Sequence, residues 1–261
     1  MADLIGADLW EMGTAGLVEE TSGLRAFFED SVERSEVCAR FALTSDAARN
    51  EPPFDYQHVP QEYDPVLIGE RFYVAPSSVK SPPPPGRFRL TIDTSSAFGS
   101  GRHESTQLCV EVLEKHLKTG NVVLDIGCGS GILSAAASLL GAGAVFACDI
   151  HQDSVRTART LIDTPIFVGS ADGIKAHQAD LVFANISAKV VDLIAADLQR
   201  IAKPMGLIVI SGFTRGNPPA RFRPREVWEK GDWQCWVCGP ADIEISNEPS
   251  EPVTHTQQWW L

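Results

Sequence analysis

The chain has 261 residues and a formal charge of −12, from 22 Lys and Arg against 34 Asp and Glu. Nucleic-acid binders carry a basic face, so this balance argues against DNA or RNA as the main partner; it is compatible with a cationic one, such as a basic protein or a lysine, and equally with the plain acidity of many cytoplasmic proteins. Hydrophobic residues make up 44%, enough for a core; no apolar run reaches the ~18 residues that span a bilayer, and the acidic opening "MADLIGADLWEMG" lacks a signal pattern, so a cytoplasmic location is expected.

Residues 1–45 read as a small α+β unit. Leu4, Ile5, Leu9 and Met12 recur at helical spacing up to Gly13. "AGLVEE" and "LRAFFE" read as short strands joined by the turn signal "TSG". "SVERSEVCARFA" reads as a helix opening on Ser31. Residues 1–36 hold nine acids against two bases. Residues 46–96 are punctuated by proline and read as a linker, with "RFYVAP" as a strand candidate. "SPPPPG" favours a stiff extended spacer or exposed loop, or less obviously a ligand for a proline-recognition module.

Residues 97–239 alternate helices and strands, which implies an α/β domain with a parallel sheet covered on both faces. "STQLCVEVLEKHL" predicts a helix, "NVVLDI" a strand buried on both faces, and "GILSAAASLLGA" a helix of small residues. Then follow strand "AVFACDI", helix "DSVRTARTLI", strands "PIFVG" and "DLVFANI", one helix "AKVVDLIAADLQRIA", strand "GLIVISG" and a terminal hairpin from "REVWEK" and "WQCWVC". The hairpin brings the strands to seven. Residues 240–261 read as a flexible tail ending in Trp259 and Trp260. Of six cysteines, Cys128 and Cys148 fall in core segments, as in a reducing compartment. Cys235 and Cys238 form one CxxC with no second ligand pair, so no metal is expected.

The chemistry concentrates in "DIGCGSG". In an open parallel sheet, ligands bind at the carboxyl ends of strands, near the point where strand order reverses. Gly127, Gly129 and Gly131 remove side chains where backbone must approach a ligand, and the following helix adds amide donors and a positive dipole end. A dinucleotide fingerprint wants a small residue where Ile132 stands. An acid followed by GxGxG, here Asp125 and the three glycines, is instead the loop for S-adenosylmethionine, and a carboxylate there suits a ligand bearing an amino group and a sulfonium. Asp149 lies 22 residues after Gly127, at the end of the next strand. It suits two ribose hydroxyls; a helix cap is the plainer alternative. Asp172 suits an adenine amine or a surface turn. Asn185 closes the fourth strand, with an acceptor and a donor for an amine nucleophile or the cofactor's methionine end.

"SSAFGSGRHESTQLCVEVLE", together with "LDIGCGSGIL", "ACDI" and "LVFANIS", resembles the PrmA family, bacterial methyltransferases that modify large-subunit ribosomal protein eleven. The family's loop reads roughly Ala-Phe-Gly-Thr-Gly-x-His-x-Thr-Thr; Ala97, Phe98, Gly99, Gly101, His103 and Thr106 match, and Ser100 and Ser105 keep the hydroxyl of threonines. "LWEMGTAGLVEE", "YDPVLIGERFYVAP" and "WQCWVCG" resemble the family's small recognition domain, linker and closing strand, so the likeness covers most of residues 7–239. It implies a Rossmann-like class I methyltransferase sheet, mostly parallel and seven-stranded, S-adenosyl-L-methionine as cofactor, and a ribosomal protein as partner. It implies cofactor contacts at Thr106, Gly127, Asp149 and Asn185, and a loop over the methionine end that carries Phe98 and His103. Some family features lack counterparts: a further strand opening the small domain, linker tryptophans where Tyr56 and Ser77 or Ser78 stand, and several residues between the helix after Asp149 and the third strand.

The expected reaction is methyl transfer to a protein amine, a lysine or an N-terminus, with Asn185 aligning the nucleophile and His103 either a proton acceptor or a structural element of its loop. A same-fold enzyme acting on a small amine or another protein, and a non-catalytic cofactor-binding module, are the competing readings. Ile132 and Asp125 argue against a nicotinamide oxidoreductase.

Overall fold

The computed structural model describes residues 14–20, 23–28, 32–41, 64–92 and 101–245. They fall in two units, one holding residues 14–41 and the other 64–245. The predicted helix over Leu4–Met12 lies outside the described residues.

In the first unit, β1 (Thr14–Glu20) and β2 (Gly23–Phe28) form the expected antiparallel hairpin, with Glu20 opposite Gly23. Helix α1 (Arg34–Arg40) follows. It starts after Glu33, not at Ser31, and Glu33 makes no side-chain cap. Val37 and Cys38 form its buried side.

The second unit carries two sheets. The smaller joins β3 (Val66–Ile68) antiparallel to β4 (Phe72–Ala75), and β4 parallel to β5 (Phe88–Thr91). Two parallel strands need a crossover between them, and here residues 76–87, with the four prolines, provide it. Of the two expectations for "SPPPPG", the exposed loop holds, since Ser81, Pro82, Pro84, Pro85 and Gly86 are exposed, and the spacer does not, since the segment connects two paired strands of the body. Ile68, Phe72, Val74, Leu90 and Ile92 are buried in the same core as the main sheet. Burying each such side chain is worth roughly 1.5–3 kcal/mol, far more than a tether needs. Strands of three or four residues among prolines carry too little periodicity to be read, which is why only β4 was predicted.

The larger sheet has seven strands in the order β11-β12-β10-β9-β6-β7-β8. They are β6 (Val122–Ile126), β7 (Ala144–Asp149), β8 (Ile166–Val168), β9 (Ala179–Asn185), β10 (Ala202–Thr214), β11 (Glu226–Lys230) and β12 (Trp233–Cys238). Strands β6 to β10 are parallel; β12 runs antiparallel to β10, and β11 antiparallel to β12. The helices are α2 (Glu104–His116), α3 (Ile132–Leu139), α4 (Gln152–Ala158), α5 (Ala188–Leu193) and α6 (Ala195–Ile201). The sequence predicts a single helix where α5 and α6 stand. The chain breaks at Ile194, whose φ of −95° and ψ of 12° leave the helical range. The predicted fifth strand begins earlier than "GLIVISG", at Ala202.

Alternate residues of the parallel strands enter opposite cores. Val123, Leu181 and Phe183 face the side of α2, α3 and the small sheet, while Leu124, Val182 and Ala184 face α5 and α6. That two-sided burial explains the near-continuous apolar runs. Cys235 and Cys238, three apart on β12, fall in opposite cores and cannot chelate together. Of the predicted tail, Pro240–Asp242 make a 3-10 turn and buried Ile243 bridges to Phe222; residues 246–261 lie outside the described residues. Among the described residues no helix is long and apolar enough to cross a membrane.

Candidate cofactor and methyl-acceptor site

The chain runs outward from β6 through β7 to β8, then returns to place β9 on the other side of β6. The crevice between β6 and β9, at their carboxyl ends, is the switch point at which such sheets bind ligands. The glycine turn leaves β6 there, and Asn185 ends β9 there.

The turn is locked by backbone. Gly127 and Cys128 both donate their N–H to the carbonyl of Cys148, at 2.9 and 3.0 Å, and Gly131 donates to Cys128 at 2.8 Å. Gly127, Gly129 and Gly131 have φ of 71°, 53° and 81°, where side chains are strained. Their surroundings differ. A Cβ on Gly127 would lie 2.6 Å from Ile186 Cγ2, whereas one on Gly129 would meet nothing within 4 Å. Gly127 is therefore glycine for packing, and Gly129 presents bare backbone to open space.

Asp149 is 6% exposed. Its Oδ2 accepts the Gly129 N–H at 3.0 Å and its Oδ1 the His151 N–H at 2.9 Å. A carboxylate has about four acceptor sites, so both oxygens keep capacity for further donors. The cap reading of Asp149 fails in its simple form, because the N-cap of α4 is His151. Asp149 instead ties the glycine turn to the start of that helix.

Asp125 sits beneath the turn, 1% exposed. Its Oδ2 accepts the Ser134 N–H at 3.1 Å and the Ser134 hydroxyl at 2.6 Å. Gly131, the N-cap of α3, has no side chain with which to cap. Asp125 takes over that task from the preceding strand and satisfies an amide of the first turn. Burial, against the opposing Ser134 bonds and with a smaller push from Asp149, holds its pKa up at about 6. Asp172 is exposed in the 3-10 turn Ala171–Gly173, whose Ala171 is buried. Burial first, and then the charges of Asp125, Asp149 and Asp172, push the Cys148 thiol up to about 12.

On the far side of the crevice, Asn185 Nδ2 donates to Thr106 Oγ1 at 3.4 Å. Thr106 is buried in the first turn of α2. His103 is the N-cap of that helix, and its ring packs edge-on against Trp233, with centroids 4.3 Å apart. Phe98 lies outside the described residues.

A family model described as ribosomal protein L11 methyltransferase (PrmA) matches residues 14–238. The chain belongs to that family. It is 35% identical over 205 residues to the ribosomal protein L11 methyltransferase of Burkholderia ambifaria, covering 72% of this chain and 67% of that protein. It is 36% identical over 186 residues to that of Paraburkholderia xenovorans, covering 68% and 61%. It thus spans about three-fifths to two-thirds of the length of these curated relatives. A solved ribosomal protein L11 methylase from Lactobacillus delbrueckii subsp. bulgaricus superposes with a TM-score of 0.61 at 23% identity, over 67% of this chain and 96% of that one, a likeness of fold. The seven-stranded mostly parallel sheet is the class I methyltransferase arrangement expected of a PrmA family member.

Three residues of this PrmA site escaped the sequence reading. Ser134 was hidden in a run of small residues, although its place three residues into the helix is where an orphan amide needs an acceptor. Ile186 and Trp233 come from other strand ends, and only the fold brings them to Gly127 and His103.

Proposed function

We propose that this chain transfers a methyl group from S-adenosyl-L-methionine to an amine nitrogen of a ribosomal protein, as the name of its family suggests, in the cytoplasm. The observation that carries this reading is the bare Gly129 backbone held directly beside the buried Asp149 carboxylate at the carboxyl ends of β6 and β7. A nucleoside fits both: its ribose needs two acceptors, and its bulk needs an open backbone face. When bound, the cofactor supplies an electrophilic methyl on a sulfonium that leaves without acid assistance.

The chain's own residues then position and dehydrate. Gly127, Gly129 and Gly131 shape the wall, Asp149 takes the ribose hydroxyls, and Asp172 is assigned to the adenine amine. Asp125 holds the turn from below. Thr106 orients Asn185: with Nδ2 committed to Thr106, the carbonyl Oδ1 remains to accept from an incoming amine N–H. That amine must arrive neutral. For a free lysine at pH 7, deprotonation costs about 4–5 kcal/mol from a reference pKa near 10.4, and desolvation beside a cationic cofactor reduces it. The first unit, with nine acids to two bases over residues 1–36, is assigned to recognition of a basic protein.

The test is calorimetry of the cofactor with wild type and Asp149→Ala. Affinity should fall at least tenfold, since charge-assisted bonds are lost; unchanged affinity would overturn the ribose assignment. Mass spectrometry of the ribosomal protein after incubation with enzyme and labelled cofactor tests the substrate. A second protein substrate becomes the better reading if the cofactor binds and no label transfers.

A further inference from the structure

The proposed mechanism needs Asn185 fixed, and Asn185 is held by Thr106 in the first turn of α2. First turns fray, because their N–H groups lack intrahelical partners. What keeps this one in place is His103. Its carbonyl accepts from Thr106 N and Gln107 N, each at 3.1 Å. Its Nδ1 lies 3.3 Å from the Ser105 N–H, which donates to it, and 2.8 Å from Ser105 Oγ. A backbone N–H can only donate, so Nδ1 carries a lone pair, and the Ser105 hydroxyl, which can play either role, is a second donor to the same atom. The neutral ring must then carry its proton on Nε2. Trp233 fixes the plane of the ring from β12.

We infer that His103 is a positioning residue, a neutral Nδ1-accepting cap that holds Thr106 and through it Asn185, and not the proton acceptor of the reaction. The inference rests on the proposed amine methylation. Nδ1 is committed to the helix, and the proton of the neutral ring sits on Nε2. To take a proton from substrate, the ring would have to turn Nδ1 into a donor facing the Ser105 N–H, and place an imidazolium at the positive end of a helix, where cations are disfavoured. Histidine is an uncommon cap, and asparagine a common one that supplies the same acceptor without basicity. That difference makes the roles separable.

Methyl transfer and cofactor affinity are to be measured for His103→Ala and His103→Asn beside wild type. The cap predicts that His103→Ala lowers kcat about tenfold while KM for the protein substrate changes less than threefold. It predicts that His103→Asn recovers kcat to within about threefold of wild type, with a pH–rate profile of the same shape. Nitrogen NMR of the wild-type ring should show the neutral tautomer protonated on Nε2. An asparagine variant as inactive as alanine, with the lower limb of the profile lost, or a ring protonated on Nδ1, would overturn the inference. If wild type itself transfers no methyl group, the function fails instead; the tautomer and a higher melting temperature for His103→Asn than for His103→Ala still decide the cap.

Discussion

The glycine turn after β6 and the proline crossover between β4 and β5 are both irregular backbone, and they are held in opposite ways. The glycine turn has every N–H available. It closes on its own amides, through the Cys148 carbonyl and the Asp149 carboxylate, and keeps one face bare. The proline crossover is poor in N–H groups and offers carbonyls. Its anchor must therefore be a donor, and Arg89 reaches the carbonyls of Ser81, Pro76 and Val79 at 2.8, 3.1 and 2.5 Å. Tyr73 adds its hydroxyl to Ser81, 3.1 Å away, and lies under the guanidinium. A turn whose amides are anchored on one side, to the end of the neighbouring strand, can present its other side to a ligand. A loop held by a side chain spends its polar groups on the fold.

The sharpest way to break this contrast is inside the turn itself. Gly127→Ala forces a strained φ and a clash with Ile186, and should cost about 3 kcal/mol by the combined cost of left-handed strain and overpacking. Chemical denaturation measures it. Gly129→Ala incurs the strain alone, about 1 kcal/mol, yet should weaken the cofactor at least tenfold because its methyl group enters the open space. If both variants lose the same stability and the same affinity, the division between packing glycine and ligand glycine is wrong.

Asp125→Asn probes what lies beneath the turn. Because Asp125 is held up at about 6 from 3.8, the folded state binds more protons than the unfolded state between those values. Stability from this group is therefore greatest below pH 4, falls as pH rises towards 6, and stays reduced above it. The full effect is on the order of 2–3 kcal/mol. Asparagine keeps an acceptor for Ser134 without the charge. The variant should gain on wild type steadily from pH 4 to pH 7 in melting temperature. A constant difference across that range would mean that the carboxyl is not strained by burial.

The two regions also differ in how far they can be read from sequence. Gly127, Gly129 and Asp149 were legible because a positive φ, a bare face and a strand-end carboxylate each demand a residue type at a fixed place. The strands of the main sheet were legible as elements through runs such as "VVLDI" and "LVFAN", which two-sided burial makes apolar throughout; their order across the sheet was not. The small sheet was not legible. Arg89 lies eight residues and more from the carbonyls it binds, and Glu114 accepts the amides of Glu70 and Arg71 from another element, at 2.8 and 2.9 Å. No local pattern announces a guanidinium or carboxylate whose partners are distant backbone. Ser134 was hidden for a similar reason: its acid lies on the preceding strand.

Arg89→Lys gives the smallest effect and tests the other half of the contrast. Lysine keeps the charge but presents three donors on one atom in place of a planar fork. It cannot reach Pro76, Val79 and Ser81 together while also serving Thr91 Oγ1, which Arg89 Nε now binds at 3.1 Å. Each lost bond is worth about 0.5–1.5 kcal/mol net, and partly exposed carbonyls regain water, so about 1–2 kcal/mol of stability should go. Cofactor affinity should change less than twofold, because the crossover spends its polar groups on itself. Hydrogen exchange would place the loss: faster exchange at Val79 and Arg87, with Gly127 and Cys128 unchanged. Faster exchange in the glycine turn would mean that the two regions share a support, and that a loop held by a side chain does reach the site.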